Sequence, residues 1–420
     1  MKSEKLQDAI GEVRDEYIQD AEFRVAKKQT WFTQTKDAIT GANTLMKGAA
    51  AVICLCLIGA GLFALNHKQA GNPEINPELA KITIPQYASQ GMGFEGLMYY
   101  ASEELQNGNP GWVDSNPEGQ RSDTLPVYKN GCFDPSGSGA PQGLNEAEMK
   151  EKLDEAVQSL GLEISETKRE TLAQKTEEDD IISGDTLCAL QGMTENGSVT
   201  VRADGTVTYM LPPDYTLPSE YHFEHFDVSD EEAQKVMEYL VTAYADFLGF
   251  QNPKIVLRGD YTFAGDYSRD YCVYDASGDY EERILNYCYR AAEFAPDDKG
   301  NLMLIRKNDG LAKAEKIGDY PLISVEEARK KLSNGQYQTS VPVDMPGEKY
   351  IAKTELVYRS GVMEETLLPY YRFYVELQDA DGWQMTWDNG LKTYGAYYVP
   401  AIRDEYIANL SEYAGSVNWQ

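Results

Sequence analysis

Histidine is scarce in this 420-residue sequence, which has only His67, His222 and His225. The sequence also contains no nucleophile elbow, phosphate-binding loop, zinc-protease signature or local cysteine–histidine pairing. A hydrolase built on this chain would therefore need a pair of carboxylates, and none of the many acidic residues can be singled out for that role. We predict a non-enzymatic protein with no catalytic residue and no cofactor.

Basic residues are too few to balance the acidic ones, since 38 Lys and Arg stand against 68 Asp and Glu, for a net charge of −30. Residues 1–47 are neutral overall and residues 48–67 carry no charged side chain, so the whole excess lies after position 67. So acidic a surface repels phosphates and anionic lipid headgroups. Nucleic acid is therefore excluded as an expected partner.

The sequence has only one long apolar run. Residues 48–65 are 18 uncharged residues between Lys47 and Lys68. A helix of this length measures roughly 27 Å, close to the about 30 Å of a bilayer core, and flanking lysines can extend to the headgroups. We therefore predict a transmembrane helix over 48–67. A buried helix of a soluble protein and a cleaved signal peptide fit less well, the latter because the charged leader is 47 residues long.

This prediction makes the lipid bilayer a partner and assigns the chain to the cell membrane as a single-pass protein. Basic residues are slightly more frequent before the run than after it, which favours a cytoplasmic N-terminus and an extracellular C-terminal domain.

The leader, residues 1–47, contains the pattern of one amphipathic helix. Leu6, Ile10, Val13 and Tyr17 recur every three or four residues and form one apolar stripe opposite acidic side chains. An isolated helix of this length is marginal in water. The stripe is therefore predicted to bind a cytoplasmic protein partner or a second copy, or else to belong to a loosely ordered tail.

The segment "KLQDAIGEVRDEYIQDAE", followed by a basic patch and one apolar run, resembles the N-terminus of a family of single-pass membrane proteins of anaerobic Gram-positive bacteria. Some members are anti-sigma-factor-like, which implies a sigma factor as the cytoplasmic partner. Residues 1–47 contain neither His nor Cys, and this excludes the zinc-binding form of that mechanism.

The rest of the chain divides by composition and by helix-start signals. Residues 68–81 are predicted as a stalk, and residues 82–143 as strands and loops that join the outer domain. Three capping-box signatures follow: Asn145 with Glu148, Ser229 with Glu232, and Ser324 with Glu327. Each is followed by strand-like segments and turns, such as a hairpin at Asp204-Gly205.

These signals predict an α+β fold of about three cystatin- or PepSY-like units, each a helix on an antiparallel sheet. The units are residues 144–227, 228–319 and 320–420. In the last one, "YPLISVEEARKKL…IAKTELVYRSG…LLPYYRFYVEL…GLKTYGAYYVPAI" is similar to the extracytoplasmic domains of the YycI/YycH type and to PepSY modules. YycI/YycH proteins regulate a membrane histidine kinase, so the resemblance implies a regulatory module with a kinase-linked partner.

The sequence contains candidates for two kinds of metal site, and neither is predicted to bind a metal. In "YHFEHFD", His222 and His225 could meet at one metal only if the segment bends, because neighbouring strand residues face opposite ways. "DADGWQMTWDNG" (379–390) begins like a calcium loop but has glycine at the twelfth position, and "DDKGN" (297–301) is shorter still. Both are predicted as hairpin turns.

Cysteine and tyrosine supply the remaining candidates. A hairpin centred near Asp279–Tyr280 would place Cys272 opposite Cys288, within reach of a disulfide, and buried thiols are the alternative. The motif "GDY" occurs four times among tyrosine-rich strands, which would suit a groove for sugar or peptide or, alternatively, ordinary strand packing.

These observations support two functions. The first is a membrane-anchored regulator or sensor whose outer domain binds a protein, peptide or glycan and whose leader binds a cytoplasmic partner. The alternative is a surface module that binds carbohydrate or peptide and has a passive anchor.

Overall fold

The computed structural model describes part of the chain, all of it within one compact unit, Glu78–Gln420. The described residues are 79–84, 123–134, 142–175, 181–226, 228–261, 267–339, 341, 344–360, 364–379 and 392–410. The predicted leader and apolar run lie outside them, and so do Leu6, Ile10, Val13 and Tyr17. Within these ranges, no helix has both the length and the apolar character that crossing a bilayer requires.

The described ranges contain five α-helices. They are α1 (Glu146–Ser159), α2 (Asp230–Ala243), α3 (Ala245–Leu248), α4 (Tyr280–Tyr289) and α5 (Val325–Ser333). The three predicted capping boxes are confirmed at the starts of α1, α2 and α5. A fourth box, Asp279 with Glu282, starts α4. Because Asp279 begins a helix, the hairpin predicted at Asp279–Tyr280 is wrong.

The same ranges contain fourteen strands and two 3-10 turns, Glu348–Tyr350 and Asp404–Tyr406. The first nine strands are β1 (Thr124–Lys129), β2 (Ile164–Lys175), β3 (Ile181–Thr194), β4 (Gly197–Arg202), β5 (Val207–Met210), β6 (Pro253–Tyr261), β7 (Tyr267–Asp275), β8 (Ala292–Pro296) and β9 (Leu302–Lys307). The other five are β10 (Glu315–Pro321), β11 (Ile351–Tyr358), β12 (Thr366–Leu367), β13 (Pro369–Glu376) and β14 (Tyr394–Pro400).

Eight strands form one antiparallel sheet in the order β2-β3-β4-β5-β9-β8-β7-β6. The sheet consists of two four-stranded meanders, β2–β5 and β6–β9, which are joined where β5 pairs with β9. The predicted hairpin at Asp204-Gly205 is confirmed, with Val201 opposite Val207 and Gly205 at a φ of 86°. Glycine adopts this left-handed angle without steric cost.

The predicted α+β fold of three separate helix-on-sheet units is wrong, because the described residues are mostly β and the predicted units share sheets. Pairing of β5 with β9 merges the first two units. The third is not self-contained either, since its β12 pairs with β1, which also pairs with β10 across the boundary between the second and third units. An open strand edge is a template for another strand, and the alternation of side chains along a strand does not specify which edges meet.

Two cores hold the described residues together. In the first, α1 and α2 pack on the eight-stranded sheet and bury the predicted stripes, Met149, Leu153 and Val157 of α1 and Val236, Met237 and Leu240 of α2. The second core includes residues of α4, α5, β1 and the β11-β13-β14 sheet. Its largest fully buried side chains are the tyrosines at 289, 320, 370, 397 and 398.

Candidate ligand-binding cleft

The disulfide considered for Cys272 and Cys288 is not formed in the structure. Cys272 lies on β7, opposite Val256 and Glu293 of the neighbouring strands. Cys288 lies on α4, and its Sγ accepts a hydrogen bond from the Tyr358 N–H at 3.3 Å. Both cysteines are thiols. The strand predicted to carry Cys288 is a helix, so the two residues are not cross-strand neighbours.

The other two described cysteines, Cys132 and Cys188, are buried thiols. Burial raises the pKa of the Cys132 thiol to about 11, and the charge of Asp204 adds to the effect. Burial also raises the pKa of Cys188. Because the thiolate is the reactive form of cysteine, neither residue is suited to be a nucleophile.

The two described histidines make separate contacts. His222 Nε2 lies 3.1 Å from Glu224 Oε1, and His225 Nδ1 lies 3.1 Å from the carbonyl oxygen of Arg269. Among the described residues, no three His, Cys, Asp or Glu side chains are grouped as ligands for one metal ion.

The turn predicted at residues 297–301 is confirmed between β8 and β9. The Asp297 carboxylate accepts the N–H groups of Lys299 and Asn301, both at 2.8 Å. Most of the other calcium-like segment, residues 380–390, lies outside the described residues.

The copies of "GDY" lie in different elements: β6, the start of α4, and β10, with most of the copy at 265–267 outside the described residues. Tyr280 and Tyr320 are both buried in the second core. This burial favours strand and helix packing over a tyrosine-lined groove as the role of the motif.

A cleft of about 540 Å³ opens where α1, α3 and α4 meet the ends of β7 and β9 and the start of β5. Small-molecule sites in proteins typically enclose about 300–1,000 Å³. A second cavity, of about 230 Å³ and bordered by His225, Glu293 and Arg306, falls below this range. The larger cleft is therefore the candidate site.

One wall of the cleft is a face of α1. Lys152, Glu155, Ala156 and Ser159 line it, and their spacing of three, four and seven residues places them on the same side of a helix. The Asn145 capping box fixes where the helix begins and therefore which residues face the cleft. The adjoining apolar stripe of α1 anchors this wall to the sheet.

Lys307, the last residue of β9, lies at the base of the cleft. Its Nζ donates to the carbonyl oxygens of Leu248 at 2.7 Å and Phe247 at 3.3 Å. These carbonyls end α3, which stops because Gly249 adopts a left-handed φ of 67°. The ammonium also lies 5.7 Å from the centroid of the Phe250 ring, within the range of a cation–π contact.

Lys307 is half-buried, and its surroundings disfavour the protonated form of its side chain. Burial lowers the pKa of Lys307, and the like charge of Lys152 lowers it further, against the opposing charges of Asp309 and Glu155. Lysine is the residue whose pKa responds most readily to burial. A negatively charged ligand group placed beside Lys307 would relieve this destabilisation of the ammonium.

Asp309 is the carboxylate that two cations of the cleft approach. Its Oδ2 lies 2.6 Å from Lys152 Nζ, and its Oδ1 lies 4.0 Å from Arg290 Nε. The β4–β5 turn packs closely beside it, because a Cβ on Gly205 would come within 3.2 Å of the Asp309 Cβ and 2.7 Å of the Ala312 Cβ. Glycine at the turn therefore brings the strand ends against this cluster.

The Asp275 carboxylate holds the neighbouring loop through hydrogen bonds to backbone N–H groups. Its carboxylate accepts the N–H groups of Gln251 and Asn252, both at 3.0 Å, and of Ser277 at 2.9 Å. Burial would raise the pKa of Asp275, but these backbone hydrogen bonds outweigh it and lower the pKa. Asn286 donates to the Asp275 carbonyl at 3.0 Å, which ties α4 to the same loop.

Glu155 and Asp246 are the remaining charged residues of the cleft, and both are exposed at its rim. Within the described ranges, no basic side chain forms an ion pair with either of them. The cleft therefore combines three basic residues, Lys152, Arg290 and Lys307, with the two exposed carboxylates of Glu155 and Asp246.

Comparison of the chain with protein-family models, with curated proteins and with solved structures finds no match.

Proposed function

We propose that this protein is a non-enzymatic ligand-binding protein with a sensory or regulatory role, and that the cleft between α1, α3 and α4 is its binding site. The observation that carries this proposal is Lys307, a half-buried ammonium held by two carbonyl oxygens at the base of a cleft of about 540 Å³. Burying a charge costs free energy. A ligand group of opposite charge beside Lys307 would offset this cost.

The construction of the cleft supports binding. Its walls belong to packed elements, since the apolar side of α1 is buried on the sheet and α4 begins with a capping box. The polar groups that face the cleft are held by hydrogen bonds to other parts of the fold, such as Asn286 to the Asp275 carbonyl. A site that is already formed loses little conformational entropy when a ligand binds.

The membrane anchor predicted at 48–67 and the leader predicted to bind a cytoplasmic partner belong to the same proposal. A single-pass sensor needs a domain that binds a ligand outside the membrane and a segment that binds a partner in the cytoplasm. The alternative of a passive anchor uses the same cleft and assigns no partner to the leader.

The test is to fill the cleft with a side chain and to ask whether ligand binding is lost. Ser159 lines the cleft, whereas its neighbour Gln158 is exposed and does not. The full-length wild type, Ser159→Trp and the matched control Gln158→Trp are screened by thermal shift against amino acids, dipeptides, sugars and dicarboxylates. We expect a compound that raises the melting temperature of the wild type and of Gln158→Trp but not of Ser159→Trp.

Two results would contradict the proposal. One is that no compound class stabilises the wild type. The other is that Ser159→Trp is stabilised as much as Gln158→Trp, since the ligand would then bind elsewhere.

The regulatory part of the proposal has a separate test. In the full-length chain, Leu6→Asp with Ile10→Asp should abolish recovery of a cytoplasmic partner by crosslinking and leave ligand binding unchanged. Equal recovery of the same proteins with and without the substitutions would favour a passive anchor.

A further inference from the structure

The cleft contains an ammonium that has no carboxylate partner among the described residues. Lys152 and Arg290 both lie beside the Asp309 carboxylate, whereas Lys307 donates to two carbonyl oxygens and forms no ion pair with a described residue. Asp275, at the end of β7, is engaged by three backbone N–H groups. A ligand carboxylate beside Lys307 would supply the opposite charge that this ammonium lacks.

The rim of the cleft has the opposite character. Glu155 and Asp246 are exposed carboxylates that belong to α1 and α3, and neither forms an ion pair with a basic side chain of the described residues. They favour a ligand group that carries positive charge and donates hydrogen bonds, such as an ammonium. The two preferences lie within one cleft of about 540 Å³, so one small molecule can meet both.

The net charge of the chain decides between a simple ion and a molecule with both charges. A chain with a charge of −30 disfavours the approach of an anion. A simple cation would be attracted to the surface but would meet Lys152, Arg290 and Lys307 inside. A zwitterion is neutral overall, so the long-range field does not exclude it, and each of its charged ends has an opposite partner in the cleft.

We infer that the ligand of the cleft is a small zwitterion, an amino acid or a short peptide, with its carboxylate beside Lys307, Lys152 and Arg290 and its ammonium towards Glu155 and Asp246. This inference rests on the proposed function of the cleft. Aliphatic or aromatic ligand atoms would lie against the Phe250 ring, which borders the same space.

The experiment is a titration of the full-length protein by calorimetry. The twenty common amino acids and alanyl-alanine are screened first. For each compound that binds, two analogues follow: the des-amino acid, which lacks the ammonium, and the amine, which lacks the carboxylate. We expect each analogue to bind about tenfold more weakly or worse, because a lost charged hydrogen bond typically costs 1.5–3 kcal/mol.

Two substitutions assign the ends of the ligand. Lys307→Met should weaken binding of the zwitterion and abolish its advantage over the amine. Glu155→Gln changes an exposed position, where we expect an intact fold. It should weaken binding and reduce the advantage over the des-amino acid. Gln158→Glu is the control for charge. Gln158 precedes Ser159 in α1 but does not line the cleft, so this substitution should leave affinity unchanged.

The outcomes separate this inference from the proposed function. If the des-amino acid binds as tightly as the zwitterion, or if only sugars bind and Ser159→Trp blocks them, the inference is overturned and the cleft remains a binding site. If no compound of any class binds the wild type, both fall. Tight binding of the zwitterion that is insensitive to Lys307→Met and Glu155→Gln would also overturn the inference.

Discussion

Replacement of the buried carboxylate Glu355 by glutamine should destabilise the protein by about 3 kcal/mol. Glu355 is 2% exposed and lies opposite Arg372 in the pairing of β11 with β13. The Oε2 atom of Glu355 accepts hydrogen bonds from Arg372 Nη2 at 2.6 Å and from Arg372 Nε at 3.0 Å. The Oε1 atom of Glu355 accepts a hydrogen bond from Lys353 Nζ. Glutamine has almost the same shape but no charge, so the change isolates the ionic contribution.

The magnitude follows from the exposure of the three side chains. Removing one partner of a fully buried ion pair costs about 3–5 kcal/mol, because a charge is left without compensation. The side chains of Arg372 and Lys353 retain 17% and 15% exposure, which lets water solvate them in part and places the cost at the low end. For a urea slope of about 3 kcal/mol/M, the unfolding midpoint should fall by roughly 1 M.

The effect should depend on pH. Burial by itself would raise the pKa of Glu355, but the charges of Arg372 and Lys353 outweigh it and hold the pKa below its usual value. A carboxylate with a lowered pKa in the folded state stabilises the fold above its unfolded pKa of about 4.3, and loses this contribution as the pH falls through the folded pKa. The difference between wild type and Glu355→Gln should therefore be complete at neutral pH and shrink below about pH 4.

The assay is urea unfolding of the full-length protein, followed by tyrosine and tryptophan fluorescence at pH 7 and at acidic pH. The matched control is Asp154→Asn, which removes the Lys150–Asp154 ion pair, whose side chains are 56% and 53% exposed. It should change stability by less than about 1 kcal/mol. A Glu355→Gln protein as stable as this control at pH 7, or a difference that does not change with pH, would refute the reasoning.

Three further outcomes test the backbone, the capping and the thiol chemistry of the fold. Gly205→Ala should cost more than about 2 kcal/mol in urea unfolding, because it combines a φ of 86° with a Cβ 2.7 Å from the Ala312 Cβ. Gly335→Ala, at a φ of 77° in open space, should cost only about 1 kcal/mol. A similar cost for both would contradict the close approach. Asp279→Ala should cost about 1 kcal/mol by removing the cap of α4, and an unchanged midpoint would argue against that helix start. Cys132, buried and with a pKa raised to about 11, should be alkylated at pH 8 only after unfolding, as followed by mass spectrometry; rapid labelling of the folded protein would contradict its burial.

Local sequence signals located most of the helices but misassigned one. The boxes at Asn145, Ser229 and Ser324 were recognised because a capping box is complete within four residues. Asp279 with Glu282 is the same signal at α4, but it competes with the tyrosine and isoleucine that follow, which are common in strands. Tyr280, Ile284 and Tyr287 recur at steps of three and four and are buried in the structure. This helical spacing is the sequence signal that identifies the segment as a helix.

The candidate cleft was not predicted, and only part of it could have been. The spacing of Lys152, Glu155 and Ser159 on one face of α1 is visible in the sequence. Their relation to Lys307 is not visible, since Lys307 contacts carbonyl groups of residues 59 and 60 positions earlier in the chain. Such a contact depends on where α3 ends relative to the last residue of β9.

The sequence by itself determined the charge of the chain, the starts of α1, α2 and α5, and the hairpin at Gly205, because each of these depends on residues close together in the chain. Only the tertiary structure decided that β5 pairs with β9, so that two predicted units form a single sheet, and that Lys152 and Arg290 meet at Asp309 in the cleft that Lys307 also lines. The physical reason is that strand edges and long side chains have many partners of similar local energy. The packing of the whole core selects among them.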